Sequence, residues 1–176
     1  MMRLECISAL VLVMVSVAAQ GAEITVVSTD AAGVGFNDST PFTAVGGNNA
    51  ETLGEARFNV FRAAAEQWGA LIESEVEIVV EASFADQECD ANSGTLGSAG
   101  AFTFLRDFPG AVQAQTFYPV ALANALAGED LDDGDPDIVA EFNGALDTGE
   151  SCLTGITFYY GSDHAGGSEG YQGGQP

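Results

Sequence analysis

An α+β domain, in which a small mixed sheet is backed by one amphipathic helix, is the fold class this sequence predicts. Three stretches predict it. Residues 23–29 (EITVVST) form a short β-branched run of the kind that makes a strand. Residues 52–72 (TLGEARFNVFRAAAEQWGALI) place apolar side chains at helical spacing. Residues 75–84 (EVEIVVEASF) switch to a period of two. Strands and helices interleaved in this order point to one domain with both packed on a shared core.

Taken in order, the 23–29 strand leads into a loop rich in Gly, Asn, Asp and Pro. The helix that follows starts at a capping box, in which the Thr52 hydroxyl and the Glu55 carboxylate each satisfy a free amide of the first turn. Its expected buried stripe is Leu53, Val60, Phe61, Ala64, Trp68, Leu71 and Ile72. In the next strand, Val76, Ile78, Val80, Ala82 and Phe84 should face inward. Glu75, Glu77, Val79, Glu81 and Ser83 should form a solvated outer face. A loop carrying Cys89 precedes another short strand within 101–110, which Pro109-Gly110 ends. Two further helices are expected. One begins with Pro119 in its first turn and stops at Gly128. The other is capped by Asp135, begins at Pro136, and buries Ile138, Val139, Phe142 and Leu146. Residues 152–161 (CLTGITFYYG) are the last strand expected, and residues 162–176 read as a Gly-rich disordered tail.

Residues 1–22 stand apart. Arg3, an apolar run from Cys6 to Ala19 and a small-residue exit describe a secretory signal peptide, too short in its apolar part for a membrane span of about 20 residues. The expected organisation is therefore a signal peptide at 1–22, a domain at 23–161 and the tail, in a secreted or periplasmic protein. The chain has a formal net charge of −22, its four cations are all arginine, and Arg3 and Glu5 cancel within the leader. Such a surface excludes nucleic acid and anionic membranes as partners, because both are held by Lys and Arg. Self-repulsion should make the fold gain stability from salt or bound cations. Beyond the leader only Cys89 and Cys152 remain, and an even pair in an exported chain reads as one disulfide.

Few motifs carry chemistry. Glu129–Asp137 (EDLDDGDPD) invites a calcium reading through Asp130, Asp132, Asp133 and Asp135. An EF-hand needs glycine at position 6, whereas counting from Asp130 puts Gly134 at position 5, so any calcium site would be of another kind. No G-x-S-x-G occurs in a strand–turn–helix setting. His164 is the one histidine, so H-E-x-x-H, whose paired histidines bind zinc while the glutamate activates water, is not in these 176 residues. No catalytic residue and no zinc ligand is assigned.

Several stretches nevertheless carry a family resemblance: VSTDAAGVGFND, TLGEARFNVFRAAAEQWG, LGSAG, RDFPGA, ALANALAGEDLDDGDPDIVAEFNGAL and CLTG…FYYG, which together span nearly all of 24–161. In order and spacing they resemble the amino-terminal region of bacterial secreted zincin-like metalloproteases of the protease-associated-domain kind. The resemblance implies a zincin-like N-terminal subdomain, with helix 52–72 behind a sheet that contains strand 76–84. It also implies that the zinc-binding HExxH helix comes next, and that the cysteine pair is structural. It fades after Gly161, before any zinc ligand, and gives His164 no ligand role. On this reading the chain is truncated before its catalytic helix. Zinc belongs to full-length relatives, and a protein or peptide substrate to a chain with that helix. The alternative expectation is a non-enzymatic secreted binding or structural domain stabilised by calcium.

Overall fold

The computed structural model describes residues 21–147 and 152–163. Residues 1–20 of the expected signal peptide, the 164–176 part of the tail and His164 lie outside the described residues, whereas Gly21 and Ala22 are described, with Ala22 buried and its amide donating to the Ile72 carbonyl at 2.8 Å. Four strands build the main sheet: β1 (Ile24–Ser28), β2 (Ile78–Ala85), β3 (Gly97–Ala101) and a later strand, Ile138–Asn143. A two-residue pair, β4 (Phe104–Leu105) with β5 (Tyr118–Pro119), forms a separate ribbon, so the later strand is β6. The order is β1-β2-β6-β3, with β1, β2 and β6 parallel and β3 antiparallel at the edge. The architecture is a small mixed sheet with two helices, which is the α+β class expected.

Helix α1 (Leu53–Gly69) connects β1 to its parallel neighbour β2, as such a crossover requires. Its start is the anticipated capping box, with Glu55 N donating to Thr52 Oγ1 at 3.2 Å and Thr52 N donating to Glu55 Oε2 at 3.3 Å. Gly54 lets this first turn approach a 3-10 turn at Gly35–Asn37, because a Cβ there would lie 2.4 Å from the Phe36 carbonyl oxygen. The core forms between α1, that turn and one sheet face, from Phe36, Ala56, Ala82, Phe84, Ala140 and Tyr160. Edge-to-face rings set its geometry: Phe36 with Phe61 at 5.1 Å, Phe36 with Phe84 at 5.3 Å and Phe61 with Phe142 at 4.9 Å.

Strand β2 alternates as expected, with Ile78, Ala82 and Phe84 buried toward the core. The α1 stripe does not run as expected. Leu53, Val60 and Phe61 pack on the core, but Ala64 is exposed, Trp68 is 61% exposed and Leu71 is 76% exposed. The helix ends at Gly69, which is buried against Ala22 and Ile24, so Trp68 and Leu71 flank that contact on the solvent side.

Three further expectations are corrected. The helix anticipated from Asp135 onward is instead β6, inserted between β2 and β3. Its residues also carry a period of two: Ile138, Ala140 and Phe142 stand in register with Val80, Ala82 and Phe84. A slot between two strands outweighs a weak helical pattern, because strand preference is mostly the fit to cross-strand neighbours. The single strand sought in 101–110 is split between the end of β3 and β4, with a bend at Phe102. The described part of 152–161 contains no strand and runs as turns and extended chain, contributing Phe158 and Tyr160 to the core.

Helix α2 (Val120–Ala127) occupies the place expected for it, with Pro119 as the cap rather than the first helical residue. Gly128 closes it at φ 74°, a left-handed conformation that favours glycine. Among the described residues, no helix is long and apolar enough to cross a membrane.

Candidate functional site

Among the described residues the most buried charged residue is Arg57, on the second turn of α1, with a side chain only 4% exposed. Its guanidinium donates to the Gly35 carbonyl at 2.7 Å and, through Nη2 and Nε, to Asp147 Oδ2 at 2.5 and 3.2 Å. Asp38 Oδ2 lies 3.5 Å from Nη1, and the guanidinium carbon sits 4.5 Å over the Phe84 ring. Tyr160 completes the group, donating its hydroxyl to Asp147 Oδ2 at 2.6 Å. Burial works against the Arg57 charge, yet hydrogen bonds with Asp147 and Tyr160 raise its proton affinity overall. Burial and the neighbouring Asp147 charge push the Tyr160 phenol far up, so it stays protonated. Burial also pushes Asp38 up, but the Thr40 amide and hydroxyl and the Arg57 charge hold it below the usual carboxylate range.

A cavity of about 240 Å³ opens beside this cluster, with Leu53, Phe84 and Asp86 in its walls. The arginine does not deprotonate near neutrality, and the Tyr160 phenol stays a donor. The cluster acts as a lock between α1, the 3-10 turn and the chain after β6.

The acidic loop between α2 and β6 holds the calcium candidates. It brings two of them together and leaves two apart. Asn124, buried in α2, donates from Nδ2 to Asp130 Oδ1 at 3.3 Å and to Asp137 Oδ1 at 3.0 Å, and accepts from Leu131 N at 3.0 Å. Asp137 Oδ2 accepts from Val79 N at 2.8 Å, which ties the loop to β2. Asp132 joins the group, its amide donating to Asp130 Oδ1 at 3.2 Å, while its own Oδ2 is enclosed without a hydrogen-bond partner. Asp133 and Asp135 are exposed and stand outside it.

Burial, and then the nearby Asp130 carboxylate, raise the Asp132 carboxyl above its ordinary range. Asp137 is raised too, by burial and then by the charges of Asp130 and Glu77, against the lowering effect of the Val79 amide. Among the described residues, no group of three or more His, Cys, Asp or Glu side chains is arranged to hold a metal ion. Sequence reasoning missed Asn124 and Asp137, the two residues that organise the loop. The available signal was an asparagine inside a helix, which is unfavourable there unless its amide has partners.

Cys89 and Cys152 form the expected disulfide, with Cα atoms 5.1 Å apart. Glu75 and Glu77 are exposed and precede β2, Glu81 is half-buried on the sheet face away from α1, and Glu77 accepts from the Thr25 hydroxyl.

Two surfaces are left open. Along α1, Val60, Ala64 and Trp68 line a groove of about 200 Å³ that Gly161 and Ser162 bound on the other side. At the sheet edge, β3 pairs with β6 on one side and with no strand on the other among the described residues, and Ser98, Ala99 and Gly100 are exposed. Such an edge presents a row of free amides and carbonyls, and its small side chains leave room for an extended segment to lie alongside.

Comparison with protein-family models gives no match to this chain, and comparison with curated proteins and with solved structures gives none either.

Proposed function

We propose that this chain is an acidic, exported domain corresponding to the amino-terminal part of a zinc metalloendopeptidase-like protein, catalytically incomplete within its 176 residues. The observation that carries the reading is the uncovered apolar strip of α1. Trp68, in the last turn of the helix that backs the sheet, is 61% exposed, and Leu71, just past the end of that helix, is 76% exposed. Large apolar side chains in helical spacing on such a helix call for a further packed element. A second helix laid in the groove beside Gly161 and Ser162 would cover Val60, Ala64 and Trp68. The open edge of β3 supports the peptide side of the reading, since an extended chain can pair there through its backbone. The paired-histidine zinc set of such a peptidase would have to come from residues beyond these 176, because the single histidine cannot form it.

The test uses the purified chain. Zinc titration should show no tight stoichiometric binding, and peptidase assays should show no turnover. A hydrophobic dye should bind, and Trp68→Gln with Leu71→Gln should reduce that signal several-fold while leaving the unfolding midpoint nearly unchanged. Stoichiometric tight zinc accompanied by proteolysis overturns the reading. Cooperative unfolding with no dye binding would favour a self-contained binding domain instead.

A further inference from the structure

We draw no further inference here: the strongest candidate, the cluster of Asp130, Asp132 and Asp137 around Asn124 in the loop between α2 and β6, carries nothing, because its one enclosed unpartnered oxygen, Asp132 Oδ2, belongs to a part-exposed side chain and no second feature among the described residues points to a ligand.

Discussion

Arg57 and Asp147, 90 residues apart in sequence, meet in a nearly dry ion pair, with Nη2 2.5 Å from Oδ2 and side chains 4% and 8% exposed. The pair joins α1 to the turn that follows β6, so the helix is fastened to the segment in which β6 ends. A buried pair of this kind adds little over a well-packed apolar pair, but losing one partner leaves a bare charge in the core. Arg57→Met should therefore cost roughly 3–5 kcal/mol in urea unfolding, and adding Asp147→Leu should recover most of it. A loss below about 1 kcal/mol for Arg57→Met would mean that Asp147 finds water instead.

The Cys89–Cys152 disulfide closes a loop of sequence separation 63. Its ends are also held by backbone bonds, Leu153 N to Asp90 O at 2.8 Å and Thr154 N to Ala91 O at 3.1 Å. In the chain-entropy account, removing the cross-link costs about 4 kcal/mol. Dithiothreitol, or the double substitution Cys89→Ala/Cys152→Ala, should lower the thermal midpoint strongly and to a similar extent. An unchanged midpoint after reduction would show that those backbone bonds suffice.

The α2–β6 loop gives a pH dependence of defined sign. Asp132 and Asp137 have carboxyls raised above the ordinary range by burial and by neighbouring charge. Their contribution to stability is complete below the unfolded value of about 4 and is lost as pH rises through their higher folded values. Asp38, held down by Thr40 and Arg57, and Asp90, held down by the Asn92 and Ser93 amides, work in the opposite sense and lose their contribution as pH falls. Comparing a variant with its parent at each pH isolates one group. Asp132→Asn should stabilise by roughly 0.5–1 kcal/mol at pH 7, because the new amide can donate to Asp130, and the gain should vanish near pH 3. Destabilisation at pH 7, or a gain that ignores pH, would contradict this account of the loop.

Much of the fold was legible because local chemistry and burial agree. Thr52 and Glu55 form the capping box their spacing implies, Ile78, Ala82 and Phe84 alternate inward, and Cys89 finds Cys152. Residues 138–143 were misread because they satisfy both periods. Ile138, Val139 and Phe142 fit a helix stripe as well as a strand face, and only the position between β2 and β3 decides. Trp68 and Leu71 were misplaced because spacing identifies an apolar stripe without saying how far the covering surface extends. The internal lock was hidden for another reason. Arginine on a helix ordinarily reads as a solvent-facing charge, and nothing near Arg57 in sequence announces Asp147 or Tyr160. Asn124 and Asp137 were masked in the same way, by a surplus of neighbouring acids that made any one of them look like loop solvation.

We have proposed that this domain corresponds to the amino-terminal part of a zincin-like protein and that a further helix would cover the exposed Trp68 face of α1. The most direct test is to read the coding sequence beyond codon 176 in all three forward frames. The account predicts an H-E-x-x-H segment with helical patterning a short distance downstream. A downstream sequence with no such segment in any frame would contradict it.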